Sequence, residues 1–240
     1  RAGSSTMFVF RKEWLIGLFL AVLFWVGVSL DLVGMHQREI YLAVAAPILR
    51  GRSDKACVSL MFNVDWGEEY IPALLEILEE HGVSATFFPT GIWAKENSEL
   101  LKQIVDKGHE VGNHGGSHVH VEHLPKEQFQ AVIKDGEKMI QEATGVSPSK
   151  LFAPPYGEWS NATVEYALEI GYQTILWTVD TVDWRMPEPE TIWKRALADA
   201  KPGALILMHP TEPTVEALPQ IIQGLKEKGL TPVTVSELMY

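Results

Sequence analysis

From Cys57 onward, short apolar runs rich in β-branched residues alternate with longer segments of helical period, and this rhythm restricts the chain to folds built of βαβ units. Glycines such as Gly82, Gly108 and Gly145 mark the helix ends. Seven strands are predicted, over residues 57–62, 84–88, 109–112, 151–153, 174–177, 204–208 and 231–233. Helices are predicted over residues 70–81, 96–107, 125–144, 160–170, 188–200 and 214–228. The pattern predicts an α/β fold, either an open doubly wound sheet or a barrel one strand short of the usual eight.

The stretch Trp14–Leu30 is apolar and uncharged, and Arg11 and Lys12 precede it. Its length is at the short end of what spans a bilayer, and the basic pair predicts that the N-terminus stays inside. A cleaved signal peptide is the alternative, but the small residues 43–45 lie far beyond the apolar run. We therefore expect an uncleaved single-pass anchor in the cell membrane. The expected order is a cytoplasmic tail (1–13), the anchor (14–34), a linker (35–54) and an extracytoplasmic domain (55–240).

Charge and cysteine content exclude several classes of function. The formal net charge of −11 lacks the basic footprint that binding to a phosphate backbone needs, so no nucleic-acid partner is expected. Cys57 is the single cysteine, which rules out an internal disulfide and a zinc site built from several cysteines. A neutral or mixed-charge ligand is easier to reconcile with this composition.

Polar residues gather directly after the predicted strands. Five such clusters occur, at residues 63–67, 113–118, 154–157, 180–184 and His209. The carboxyl ends of parallel strands meet at one face of the domain, where α/β proteins carry their active sites. The sequence therefore predicts one site built from all five clusters.

Two histidines in the second cluster indicate a metal site. His114 and His118 flank a loop that contains Gly115 and Gly116, and two imidazoles with one carboxylate form a common catalytic zinc set. The alternative is a pair of exposed histidines in a polar loop, since the glutamate of the HExxH motif is absent.

His209 ends an apolar strand and is a candidate general acid. The unperturbed pKa of histidine is about 6.5, and a neighbouring carboxylate raises it. Asp183 is the candidate neighbour. The alternative is a histidine whose ring is satisfied by backbone groups at a strand end.

In this order, the clusters resemble the five motifs of the polysaccharide deacetylases, the NodB-homology group also called carbohydrate esterase family four. The resemblance covers residues 57–240, and residues 108–114, GHEVGNH, are especially similar. Residues 62–70 and 85–88 resemble a YlxY-like, sporulation-associated branch. The resemblance implies a distorted (β/α)7 barrel with one divalent metal, usually zinc, that removes N-acetyl groups from N-acetylglucosamine or N-acetylmuramic acid units of cell-wall polysaccharide. Expected partners are the glycan and, through the N-terminal helix, the membrane; a monomer is expected.

The resemblance also assigns roles to residues. His114 and His118 match the metal ligands, His209 matches the general acid, and Asp183 matches the carboxylate that orients it. Tyr156 matches the residue whose backbone N–H helps to hold the oxyanion. The other positions expected to contact substrate are Pro155, Trp184 and Leu207.

Three positions depart from the family pattern. Asn63 stands where the family has its general base, Val64 where it has a metal-binding aspartate, and Ala153 where an arginine pairs with the base. Asp65 is the expected substitute, both as a catalytic carboxylate and as the third metal ligand. Two functions follow: a metal-dependent hydrolase whose altered first motif reduces its activity, or an inactive member that binds wall glycan.

Overall fold

The computed structural model describes residues 22–26, 28–29 and 46–240. Residues 22–26 and 28–29 are helical, and the rest of the predicted tail, anchor and linker up to residue 45 lies outside the described residues. In the part of the chain that is described, no helix is long and apolar enough to cross a membrane. The anchor over residues 14–34 stays a prediction.

Residues 46–240 form one compact unit in which short strands alternate with helices. The strands are β1 (Cys57–Val64), β2 (Thr86–Pro89), β3 (Glu110–Val111), β4 (Leu151–Phe152), β5 (Gln173–Thr174), β6 (Val179–Asp180), β7 (Leu205–Met208) and β8 (Thr231–Pro232). The helices are α1 (Ile71–His81), α2 (Gly91–Glu96), α3 (Ser98–Asp106), α4 (Lys126–Thr144), α5 (Asn161–Glu169), α6 (Pro189–Ala198), α7 (Glu212–Glu227) and α8 (Val235–Met239). Short 3-10 turns cover Glu68–Tyr70, Pro155–Gly157 and Asp183–Arg185.

All strand pairings are parallel. The main sheet has the order β3-β2-β1-β7-β6, β8 pairs with the start of β1, and β4 pairs with β5 in a second, two-stranded sheet. Isolated bridges join the two sheets: Asn113 pairs with Phe152, and the segment 48–50 pairs with Ile175 and with Ala204. The α/β class with a parallel sheet is confirmed, whereas closure into a (β/α)7 barrel is not. The sequence does not predict β6, because Asp180 belongs to a polar cluster that is typical of a loop.

Side chains of β1 alternate between two environments. Val58, Leu60, Phe62 and Val64 pack into the large core beneath the helices. Met61 points to the other side of the sheet, into a second core cluster. Because side chains alternate along a strand, Asn63 lies on the Met61 side, and Val64 faces away from it.

The compact unit begins at Ala46, ahead of the predicted start at residue 55. The backbone N–H of Ile48 donates to the carbonyl of Thr174, and the N–H of Leu176 donates back to Ile48, each at 2.8 Å. The N–H of Gly51 donates to Gly203 at 2.8 Å. The second half of the predicted linker therefore belongs to the domain, because it satisfies backbone groups beside β5 that would otherwise lack partners.

Candidate active site

A cavity of about 380 Å³ opens at the carboxyl ends of the strands. Its wall includes His114 and His118 from the loop after β3, Asp65 from the turn after β1, Trp184 from the turn after β6 and His209 from the end of β7. Residues from separate predicted clusters thus meet at one face of the domain, where the order of strands and helices places them.

His114 is held as a neutral imidazole. Its side chain is buried, and its Nδ1 lies 2.6 Å from the carbonyl oxygen of Ala153, to which it donates. Burial, together with the charge of the nearby His118, lowers the pKa of His114 to about 3. With the proton on Nδ1, the lone pair of Nε2 is free to bind a ligand.

The loop that carries both histidines is anchored on α4. Asn113 Oδ1 accepts a hydrogen bond from the N–H of Gly115 at 2.7 Å, and Asn113 Nδ2 donates to the carbonyl of Ile133 at 2.8 Å. The approach requires a glycine on the helix, because a Cβ at Gly136 would lie 2.4 Å from Asn113 Oδ1. The loop therefore has a defined position on a rigid element.

His118 lies between His114 and Tyr156. Its ring centroid is 5.1 Å from that of His114 and 4.3 Å from that of Tyr156. Tyr156 has a φ of 59°, a left-handed conformation that is uncommon for a residue with a side chain, and His120 stacks on its ring at 4.2 Å. The carboxylate of Glu158 fixes His120, with Oε1 2.7 Å from the imidazole Nδ1. Burial lowers the pKa of His118, and the charge of Asp65 opposes this effect.

His209 and Asp183 lie together on one side of the cavity. His209 lines the cavity, and its Nδ1 lies 2.8 Å from Oδ1 of Asp183, which is fully buried behind it. Thr214 donates to the other carboxylate oxygen at 2.7 Å. The ring of Trp66 lies parallel to that of His209, with centroids 6.2 Å apart. This arrangement orients the imidazole and leaves its Nε2 available toward the cavity.

The three positions that depart from the deacetylase pattern lie on the side of the cavity opposite His209 or in the core beneath it. Asn63 lines the cavity, and its Oδ1 is buried without a hydrogen-bond partner. Val64 belongs to the core beneath the helices, and Ala153 is buried with no polar side chain to offer. Asp65 lines the cavity, and its Oδ1 accepts a hydrogen bond from Thr90 at 2.8 Å.

The fit of a metal ion to these residues is partial. The two imidazoles are close, and Nε2 of His114 is free to act as a ligand. Among the described residues, however, no group of three or more histidine, cysteine, aspartate or glutamate side chains is close enough to hold a metal ion. The ligand role of Asp65 stays a prediction, and the residues do not form a preassembled three-ligand centre.

Several residues of the site were not identified from the sequence. Trp177 lines the cavity although no predicted cluster contains it, and Trp66 and Asp180 line it although the sequence assigns them no individual role. Thr90 and Thr214 hold the two carboxylates from positions far along the chain, and no local pattern marks them. Two predicted residues lie outside the wall: Asp183 lies behind His209, and Pro155 is buried in the turn that positions Tyr156.

Comparison with known proteins identifies the family. The family model described as polysaccharide deacetylase matches residues 50–175. The uncharacterized protein YlxY of Bacillus subtilis is 42% identical over 193 residues, which cover 80% of this chain and 60% of YlxY. The chain thus spans about 60% of the length of that relative.

Two further relatives differ in activity by their names: one is a deacetylase and the other a pseudoenzyme. A peptidoglycan-N-acetylglucosamine deacetylase of Bacillus cereus is 34% identical, with 78% of this chain and 70% of that protein covered. The crystal structure of wild-type BA3943, a CE4 family pseudoenzyme from Bacillus anthracis, matches with a TM-score of 0.79 and 43% identity, covering 82% of this chain and 69% of that one. With the strand-end histidines and the parallel sheet, these likenesses show that the chain belongs to the polysaccharide deacetylase family, carbohydrate esterase family four, and to its YlxY-like branch.

Proposed function

We propose that this domain binds N-acetylated cell-wall glycan in the cavity and hydrolyses the N-acetyl group far more slowly than a deacetylase that has a carboxylate base. Asn63 is the observation that carries this proposal. It lies in the cavity wall with an unpartnered Oδ1, and a neutral amide cannot take a proton from water. General acid–base help is worth about 10²- to 10⁴-fold in rate, so losing the base costs a factor of this order.

The walls of the cavity favour a sugar as the ligand. Trp66, Tyr156 and Trp184 line it and keep 42%, 56% and 48% of their surface exposed. Aromatic faces beside a few polar groups are typical of sites that bind small organic ligands. The Bacillus cereus relative is named for peptidoglycan N-acetylglucosamine, and BA3943 is named a pseudoenzyme, which supports both halves of the proposal.

Metal-dependent deacetylation is the second candidate, and the intact acid side favours it. Asp183, itself held by Thr214, orients His209 so that Nε2 is available to protonate a departing amine. One divalent ion, zinc by its preference for imidazole, would be held by His114 and His118 with Asp65 as the third ligand. Such an ion activates water and polarises the amide carbonyl.

We also propose that the domain acts outside the cell, tethered by a single-pass anchor over residues 14–34. The support is the uncharged stretch Trp14–Leu30 with its basic flank. Cell fractionation tests this: the full-length protein should remain with the membranes after a salt wash, and protease added to protoplasts should digest the domain. Recovery of intact protein in the cytosol contradicts it.

Restoring the missing groups separates the two functions. The double variant Asn63→Asp with Ala153→Arg returns a base and a positive partner for it, whereas Val64 is left unchanged because a carboxylate there would be buried in the core. We expect the native protein to bind chitotetraose and the double variant to release acetate at least about 10²-fold faster. His209→Ala in the double variant is the control and should remove the gained activity.

Comparison of the native protein with the double variant separates the two outcomes. Binding by the native protein, with acetate release at least about 10²-fold slower than in the double variant, supports the proposal. Acetate release by the native protein at the rate of the double variant overturns it in favour of the deacetylase.

A further inference from the structure

The charges around the cavity are unevenly distributed. Its wall carries the carboxylates of Asp65 and Asp180, and no lysine or arginine belongs to it. Arg195 donates to the carbonyl of Thr181, and Arg185 lies against the ring of Trp184, so neither enters the wall. The net charge of the whole chain, −11, has the same sign as the two wall carboxylates.

Asp65 and Asp180 both lack an ion-pair partner among the described residues, and Asp65 is the one whose carboxylate accepts a hydrogen bond from another element, from Thr90. Asp180 is half-buried at the end of β6, and its Oδ1 accepts a hydrogen bond from the N–H of Val182 at 2.8 Å. That hydrogen bond uses Oδ1 and leaves Oδ2 available to a ligand.

We propose that Asp180 is a specificity-determining residue that makes the cavity select neutral N-acetylglucosamine units and reject sugars with a free carboxylate, such as N-acetylmuramic acid with an unsubstituted lactyl group. This inference rests on the proposed glycan binding. The two sugars share the N-acetyl group and the ring, and they differ by the lactyl carboxylate. A carboxylate in the wall repels that group, while it can accept hydrogen bonds from the hydroxyls of a neutral sugar.

The contact between Asp180 and Val182 determines which substitution is informative. Val182 has a φ of 54°, which is strained for a β-branched residue, and the bond from Asp180 supports this turn just before Asp183. Asp180→Ala would remove that support. Asp180→Asn removes the charge and keeps a carbonyl oxygen that can accept the same hydrogen bond.

A matched control lies at the other end of the strands. Asp106 is exposed at the end of α3, which leads into β3, so it lies at the amino ends of the strands and away from the cavity. Asp106→Asn changes the net charge of the protein by the same amount. This control therefore shows whether an effect of Asp180→Asn on binding comes from the charge at that position or from the net charge of the domain.

The test is calorimetric titration with three tetrasaccharides in the presence of EDTA. They are chitotetraose, a wall tetrasaccharide with two free lactyl carboxylates, and the same tetrasaccharide with both carboxylates converted to methylamides. We expect chitotetraose and the methylamide to bind similarly and the free acid about 10-fold more weakly, a difference that shrinks in high salt. Asp180→Asn should strengthen binding of the free acid about 3- to 10-fold and change binding of chitotetraose by less than about threefold. Asp106→Asn should leave the ratio unchanged.

The outcomes separate this inference from the function on which it rests. Equal affinity for the free acid and the methylamide, or an unchanged ratio in Asp180→Asn, overturns the role of Asp180 and leaves glycan binding in place. Failure of all three sugars to bind overturns glycan binding itself, and the role of Asp180 with it.

Discussion

Asp183 holds His209 with both of its carboxylate oxygens: Oδ2 accepts the backbone N–H of His209 at 2.6 Å, and Oδ1 meets the imidazole Nδ1 at 2.8 Å. Thr214 adds a third hydrogen bond to the same carboxylate. The carboxylate is fully buried, so these donors replace the water that it would otherwise need. The contacts that fix the position of the His209 imidazole therefore also stabilise the fold.

Removal of this carboxylate should destabilise the domain. We expect Asp183→Ala to lower the free energy of unfolding by about 3 kcal/mol or more, because two buried donors and an imidazole lose their partner. Thr214→Val should cost only about 1 kcal/mol, since it removes one of the three hydrogen bonds. Urea denaturation followed by circular dichroism measures both. Asp106→Ala, at an exposed position, is the control, and an Asp183→Ala variant as stable as this control contradicts the prediction.

Gly67 should tolerate no side chain. It has a φ of 81°, and a Cβ there would lie 2.1 Å from the carbonyl oxygen of Pro210. Gly67→Ala must move the turn that carries Asp65 and Trp66, and we expect it to lower stability by about 3 kcal/mol and to weaken glycan binding.

Gly82 provides the matched control for this substitution. Its φ is 63°, and a Cβ there would meet no atom within 4 Å. Gly82→Ala therefore introduces only the left-handed strain, about 1 kcal/mol, and should leave glycan binding unchanged. Equal losses of stability in the two variants contradict a role for the contact with Pro210.

His109 should make the domain less stable in mild acid. Burial, together with the charge of Lys107, lowers the pKa of His109 to about 4. In the unfolded chain the pKa is about 6.5, so the unfolded state binds more protons between these values, and stability is lost as the pH falls below about 6.5. At pH 5 this one group should have removed about 2 kcal/mol relative to pH 7.

His109→Asn tests this assignment. The backbone N–H of Ala85 donates to Nδ1 of His109, and the asparagine oxygen can accept the same bond without titrating. The variant should lose about 2 kcal/mol less stability than the native domain between pH 7 and pH 5, measured by chemical denaturation at each pH. Identical losses in the two proteins would assign the acid sensitivity to other groups.

Zinc binding should depend on the histidine pair more than on Asp65. We expect His118→Ala to abolish binding by the isolated domain, because a single imidazole then remains. Asp65→Asn should weaken it at least about 10-fold, and Thr90→Val should weaken it less, since Thr90 only orients the carboxylate. Calorimetric titration with zinc measures all three. Unchanged affinity in Asp65→Asn would remove Asp65 from the ligand set.

The order of strands and helices could be predicted from local sequence patterns. Periodicity and helix-ending glycines such as Gly82 and Gly145 predicted the order of strands and helices, since both signals depend only on neighbouring residues. The positions of His114, His118 and His209 at strand ends followed from that order, because parallel strands present their carboxyl ends at one face.

What only the tertiary structure decided involves residues far apart in the chain. The alternation of β1 directs Asn63 into the cavity wall and Val64 into the core, and this depends on which face of the strand the helices cover. Asp65 meets Thr90, and Trp66 stacks on His209, through packing of separate loops. Sequence by itself determined the family, the order of elements and the absent base; the folded chain decided which of the remaining polar groups face a ligand, because burial and contact arise only when distant segments are brought together.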